Sequence, residues 1–502
     1  MSKYIPAGAA LLATLLLAFS PGASLAAQHH HSHPPGHQGQ GSGSAQGPED
    51  MDHRSGMMDP SQHQMWMIHP GGWHLMGMAH VFPVATAGAP FQDESPLSGN
   101  GFYLPHAAAM FNLESPSSRF VFRFMPNFEG LTLESGEPTF GGWGEGFIDR
   151  RHPHTFLHEA MLSWNVHEVA GGAFSLSAGR GFAPFGTDDP MYRPALKYPT
   201  NHHLSQVLER WTANAVFLHD AGWSLEVGVF DGDEPEEPWD VSNYRNFGNS
   251  WSTRVAHRFG SGEGVFRPWE VSASFARIRE SHGDDHGGHG GHGHGGGHGH
   301  AGHGGEKRTD LANVALRHEA PTPWGGIYGL AEFSRSWPET GGGYWSALGE
   351  VQLTRGPHQS FLRVEAATRP EYDRRAPDGS GFFRYEHGEG ALGASRWLIT
   401  SVGYSHLLTS LPLSLRPFVE AQHNRVSHER GLPEIAPDRL FGTSSFFSFS
   451  AGVRVFLGGG PMRMGRYGVL DPMTAAMRAG GHDHGHDDHH NHDHHHHDHA
   501  HH

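Results

Sequence analysis

The chain has 502 residues, 36% hydrophobic and 17% charged, with 46 histidines, no cysteine and a formal net charge of -17. Without cysteine there is no disulfide framework, thiolate zinc finger, iron-sulfur cluster or lipidated cysteine, so metal chemistry must use histidine, methionine or carboxylate. Lysine occurs only at Lys3, Lys197 and Lys307, and this acidic balance excludes nucleic acid as a partner, because phosphate neutralisation needs clustered basic residues. Mean hydropathy is low at -0.51. Glycine and proline together make about 21% of the residues, below the roughly 25–30% of an aperiodic disordered polymer.

The first element is an address. Lys3 precedes an apolar run from Ala7 to Phe19, then Pro21-Gly22 and Ser24-Leu25-Ala26, with small residues where a signal peptidase reads. Residues 1–26 are therefore expected to be a signal peptide. Residues 27–70 form a His/Met-rich arm, with His29, His30, His31 and His33, then Met51-Asp52-His53, Met57-Met58 and Met65-Trp66-Met67. No later stretch approaches the roughly 20 apolar residues of a membrane helix. The arm, the Gly/His run 281–305 and the stretch from His482 have no apolar face to offset ordering entropy, and the arm, the loop 281–307 and the tail 458–502 are expected to be disordered.

From 71 to 457 the text alternates with period two. Phe120, Phe122 and Phe124 alternate with Arg119 and Arg123; Trp211, Ala213, Ala215 and Phe217 with Arg210, Thr212 and Asn214; Trp223, Leu225, Val227 and Val229 with Ser224, Glu226 and Gly228. Such runs are strands with one apolar and one polar face. They predict strands over 73–87, 103–114, 119–133, 155–168, 173–183, 208–219, 222–231, 249–259, 268–280, 308–319, 325–335, 344–354, 358–369, 394–408, 413–425 and 446–457. The count is about sixteen, within a range of about 14–18. Short links such as Ser115 to Ser118 and Asp220-Ala221 alternate with long ones such as 134–154 and 184–207. The predicted fold is all-β, a transmembrane antiparallel barrel with tight periplasmic turns and long external loops. A soluble two-sheet sandwich of this length would need several domains, and no linker divides the stretch.

On these residues the chain resembles a Gram-negative outer-membrane porin. Trp223 to Asp233 resembles a hairpin common in the phosphate-selective porin O and P group. Ser450-Ala-Gly452-Val-Arg-Val455-Phe-Leu457 matches the assembly signal that closes such barrels. The resemblance implies residence in the outer membrane, contact with the barrel-assembly machinery during biogenesis and a homo-oligomeric assembly as an option. Two departures stand against phosphate selectivity and the usual ending: the chain lacks a lysine-lined pore, and it continues for 45 residues past Leu457.

With both termini in the periplasm, the 281–307 loop lies outside the cell, and metal-binding tracts sit at both mouths. The external tract carries His282, His286, His289, His292, His294, His298, His300 and His303. The tail carries His482, His484, His486, His489, His490, His492, His494, His495, His496, His497 and His499. Neutral imidazoles interspersed with Gly or Asp can converge on one ion without steric cost and suit Zn, Ni, Co or Cu(II) as labile ligands. Met57 and Met58 add soft thioether sulfur that favours Cu(I), and the arm resembles the Met/His arms of copper-resistance outer-membrane proteins.

A second constellation, His152, His154, His158 and Glu159, is a candidate rim site, although the strand register turns Glu159 to the lumen and His154 and His158 to the opposite side. Leu162 stands where a metalloprotease helix would carry its second histidine, and His203 and Ser205 have no third partner, so no enzyme is expected. Expected lumenal charges are Arg119, Arg123, Glu129, Arg210, Glu226, Arg254, Arg258, Glu270, Glu332, Glu350, Arg363, Glu365, Arg416, Glu420 and Arg454. The acidic run Asp231 to Glu237 and Asp284-Asp285 would concentrate cations at the external mouth. The reading is an outer-membrane channel for divalent transition-metal ions with histidine capture segments. Its rivals are a metal buffer anchored by a barrel and a general solute porin with incidental histidine tracts.

Overall fold

The computed structural model describes residues 66–89, 100–104, 107–128, 155–187, 193, 204–235, 239–262, 264–281, 307–339, 342–371, 393–408, 413–431, 443–458 and 463–481. Nineteen strand segments run in chain order: β1 Trp66–Ile68, β2 His74–Val81, β3 Val84–Ala89, β4 Asn100–Tyr103, β5 Ala107–Glu114, β6 Phe120–Pro126, β7 Leu157–Val166, β8 Gly172–Gly181, β9 Arg210–His219 and β10 Trp223–Phe230. There follow β11 Ser250–Phe259, β12 Trp269–Glu280, β13 Lys307–Thr322, β14 Gly325–Pro338, β15 Trp345–Arg355, β16 His358–Glu371, β17 Gly393–His406, β18 Ser414–Gly431 and β19 Ser445–Leu457.

From β5 to β19 each strand pairs antiparallel with the next. The ladder then closes. Val455, Phe456 and Leu457 of β19 pair with Val81, His80 and Ala79 of β2, and Phe447 to Gly452 pair with Ala89 to Val84 of β3. Phe82 and Pro83 interrupt β2 and β3 because proline has no N–H to give the ladder, yet the Pro83 carbonyl still accepts from Val453 N–H at 3.1 Å. The segments β2 and β3 are thus two halves of one wall strand. β4 and β5 are halves of the next, paired with β3 and β2 respectively. The result is a sixteen-strand barrel, with β1 filling the row beyond the end of β19: it pairs with Leu75 to Gly77, and Trp66 N–H donates to Gly458 O at 3.1 Å.

The two faces obey the period-two text. Leu225, Val227 and Val229 of β10 are 40–48% exposed, whereas Ser224 and Glu226, which alternate with them, are 2–3% exposed. The same outward apolar row continues through Trp251 and Val255, Val271, Val314 and Leu316, Phe333, Val351, Leu362 and Val364 to Phe447 and Phe449. A closed ladder satisfies its own backbone groups, and an apolar exterior around a polar interior suits a bilayer as solvent. Among the described residues no helix is long and apolar enough to cross a membrane; the strands do the crossing. At the short-link end, turns are tight. Val169 and Gly172 exchange both backbone bonds at 2.8 and 3.0 Å around Ala170 and Gly171, whose φ values of 50° and 72° match the right-handed twist of the flanking strands.

Candidate functional site

The polar interior is filled. Beyond β8 the chain turns into the barrel, and its two limbs, Phe182 to Thr187 and Leu204 to Glu209, bind each other through Ala183 N–H to Val207 O at 2.9 Å and Thr187 N–H to Ser205 O at 3.3 Å. Gly186 sits at φ +61°, and a Cβ there would land on the Ser205 carbonyl oxygen. The limb spans the lumen: Gly186 N–H donates to Ser274 Oγ at 2.9 Å, and Gly186 O accepts from Arg254 Nε at 3.0 Å and Arg466 Nη2 at 2.6 Å. The Thr187 hydroxyl donates to Glu332, and Arg193 lies 3.4 Å from the same carboxylate. Phe185, Leu204 and Val207 pack beneath on Phe230, Ile278 and Leu311.

The wall charges form a connected lattice. Arg254 bridges Glu226 at 2.6 Å and Glu270 at 2.9 Å, and Arg258 reaches Glu270 at 2.6 Å. Glu350 accepts from Arg363 at 2.8 Å and from the Tyr328 hydroxyl at 2.6 Å. All are buried, which requires this pairing, since an unpartnered buried charge is costly. Thr187, Arg193, Glu270 and Arg317 line a cavity of about 10 Å³, room for about one water.

The C-terminal segment closes the short-link end. Residues 463–481 run inside the barrel and finish in α1, Pro472–Gly481. Asp471 caps the helix, taking Met473 N–H at 3.0 Å, with proline at the first helical position where no N–H is needed. The same carboxylate pairs with Arg123 and accepts from Asn112 Nδ2 at 3.1 Å and Thr474 Oγ1 at 2.6 Å. Tyr467 donates its hydroxyl to Glu159 at 2.6 Å and accepts from Phe182 N–H at 2.9 Å. Burial and then the Glu159 charge push this phenol well above its ordinary range, so it stays a donor. Arg478 pairs with Glu114 at 2.7 Å and reaches Ser118 O, in the turn between β5 and β6, at 3.2 Å. Arg463 and Arg466 lie 3.7 and 3.9 Å from Glu270 and Glu226. On its apolar side the segment seats Met464, Met473 and Met477 against Met76, Met78, Met110 and Met125.

These observations correct several expectations. The tail begins ordered: the fold of residues 463–481 inside the lumen replaces a disordered segment from 458, because Met464, Tyr467, Leu470, Met473 and Met477 give it an apolar face that the His/Asp stretch lacks. At the other end, Trp66–Ile68 form β1, so the arm's last residues are ordered where disorder is expected through residue 70. Arg119 is exposed in the turn before β6 instead of lining the lumen, while the other expected wall charges lie inside, apart from Glu129, which is outside the described residues.

Of the candidate rim site, the structure describes His158 and Glu159 only. Between Met125 and Pro126 of β6 the register skips one residue of β7. This β-bulge turns both His158 and Glu159 inward, where simple alternation would send His158 out. His158 Nδ1 meets Glu209 at 2.7 Å and Glu159 meets Tyr467, so each has its own structural partner. His152 and His154 lie outside the described residues, as do the histidines and methionines named in the arm, the external tract and the tail. Among the described residues no three His, Asp or Glu side chains converge as metal ligands.

Fold and site together define a transmembrane antiparallel β-barrel whose lumen is occupied by its own loop and C-terminal segment. No family model and no curated protein matches the sequence. Solved structures similar in fold include an anion-selective porin from Comamonas acidovorans, with 11% identity, TM-score 0.42 and coverage of 77% of this chain and 100% of that one. OmpF of Salmonella typhi in complex with daunomycin has 9% identity, TM-score 0.44 and coverage of 78% and 100%. OprB of Pseudomonas putida has 9% identity, TM-score 0.41 and coverage of 77% and 94%.

Proposed function

We propose that this protein is a gated channel of the Gram-negative outer membrane for transition-metal ions, exported by its N-terminal signal peptide. Metal is substrate, captured by the histidine tracts and passed through the lumen when the C-terminal segment leaves its seat. One observation carries the reading: α1 ends at Gly481 against the short-link mouth, and the next residue is His482. The plug and a candidate metal-binding tract are therefore one continuous stretch, so metal bound by the tract bears directly on how tightly the plug is held. Clustered weak ligands also raise the local ion concentration at the mouth, an advantage that disappears once bulk concentration saturates entry.

The test is flux into liposomes of the intact protein and of a chain lacking residues 482–502. The deletion should lower zinc or nickel flux strongly at micromolar metal and weakly at millimolar metal, and leave flux of an uncharged sugar unchanged. Equal losses for sugar and metal at every concentration would mean a damaged barrel and no capture. The rival reading, a metal buffer with the barrel as anchor, draws on the packed lumen, and it predicts negligible metal flux for both proteins.

A further inference from the structure

The chain has no cysteine and 16 methionines, so methionine sulfur is its only soft ligand. Seven of these methionines, Met76, Met78, Met110, Met125, Met464, Met473 and Met477, are buried in one cluster with 0–3% exposure, and Met67 packs against its edge. They come from three wall strands and the C-terminal segment. On the wall, Met78 pairs directly across from Met110, and the pairing of Phe111 with Phe124 sets Met110 and Met125 side by side on the same inner face. From the plug, Met473 and Met477 stand four residues apart on one face of α1 and close over that row.

Elsewhere the inner wall mixes serine, asparagine, arginine and glutamate with aliphatic and aromatic residues such as Leu311, Tyr328 and Trp397. Here three adjacent wall strands present thioethers instead, at the point where the Met-bearing arm joins the barrel: Met51, Met57, Met58 and Met65 lead in sequence to Met67. Thioethers bind soft cations such as Cu(I) and are poor ligands for Zn, Ni or Mg. Burial sharpens that choice, since the cost of desolvating an ion rises steeply with its charge and the cluster itself contributes no carboxylate. Flexible, unbranched side chains can rearrange around an ion without repacking the wall.

We infer that the methionine cluster between β2, β5, β6 and α1 is a binding site for a monovalent soft cation, Cu(I), held by thioether sulfur from both wall and plug. The site goes beyond the proposed channel function: it would hold a soft monovalent ion while the plug is seated, apart from the divalent ions that the histidine tracts are proposed to capture. Its test reads ligation rather than transport, so it stands or falls separately from flux.

The intact protein in detergent, loaded anaerobically with one equivalent of Cu(I) in ascorbate, should show sulfur scatterers around copper by X-ray absorption. In Met78→Leu/Met110→Leu/Met473→Leu, whose substitutions conserve volume, the sulfur shell should give way to nitrogen. Cu(I) affinity measured by competition with a chromogenic chelator should fall at least about tenfold, the scale on which even outer-shell changes move metal affinity. Should that variant fail to fold, judged by heat-modifiable mobility in SDS, Met473→Leu/Met477→Leu leaves the wall untouched and should lose sulfur scatterers in the same way. A nitrogen-only shell in the unmodified protein would overturn the site, and so would an unchanged sulfur shell in both variants, which between them remove Met78 and Met110 of the wall and Met473 and Met477 of the plug.

Discussion

Asp471 is the residue on which the seat of the C-terminal segment most depends. Its carboxylate pairs with Arg123, accepts from Asn112 and Thr474 and caps α1, and both members of the ion pair are nearly fully buried. Asp471→Ala strips Arg123 of its nearest counter-charge and leaves Glu159, at 3.8 Å, as a partial substitute. Removing one partner of a buried pair costs about 3–5 kcal/mol, and loss of the cap adds about 1 kcal/mol; the remaining Glu159 brings the sum toward the lower figure. At 1.4 kcal/mol per factor of ten, the docked-to-undocked ratio of the plug should fall about a hundredfold or more. Hydrogen exchange of the α1 amides reads that ratio directly, because exchange requires the helix to leave its seat or unwind. The α1 amides should exchange about a hundred times faster while those of β13 and β14 stay unchanged. Unaltered exchange in α1 would refute the assignment of Asp471 as the anchor.

Three further outcomes follow from other parts of the structure. Val227→Lys places a charge in the middle of the outward face of β10 and should cost about 2–4 kcal/mol of folding stability in lipid, read as a lower urea midpoint for refolding into vesicles; no change would place that face away from lipid. Gly186→Ala should destabilise the inward loop by more than about 1 kcal/mol because of the positive φ and the Ser205 carbonyl, and faster proteolysis within 182–209 would report it, whereas unchanged cleavage would contradict the contact. Burial first, and Arg478 second, hold the His167 imidazole below its ordinary range. The docked state therefore favours neutral His167, and docking is strongest above the ordinary imidazole range and weakens as pH falls through it. Exchange of α1 in metal-free protein should rise between about pH 7.5 and pH 5, and His167→Gln should flatten that rise; an equal rise in the variant would rule out His167 as the cause.

The wall was legible because it repeats a simple rule. Strands such as β10 and β19 alternate so strictly that their faces and the inward placement of Glu226 and Arg454 follow from period two alone. His158 escaped that rule because a bulge is set by how β6 and β7 pair, which the sequence of β7 by itself does not encode. The C-terminal segment was hidden by its neighbour: the His/Asp tract dominates the composition after 458, although Asp471-Pro472 is a helix-start signal and Met473 and Met477 have helical spacing. The inward course of 182–187 rests on contacts with Ser274 and Glu332, about 90 and 145 residues away, and no local pattern announces contacts of that range.

The central claim is that metal crosses only when the C-terminal segment leaves the lumen, and a reversible lock tests it. The natural chain has no cysteine, so Asn112→Cys with Thr474→Cys, whose side chains meet at 3.4 Å in the native protein, introduces a single disulfide between wall and plug. Zinc entry into liposomes bearing this variant should be abolished in the oxidised state and resume after reduction, at a rate no lower than the unmodified protein's, since both substitutions also remove contacts to Asp471. Zinc entry that continues undiminished through the locked barrel would contradict the account.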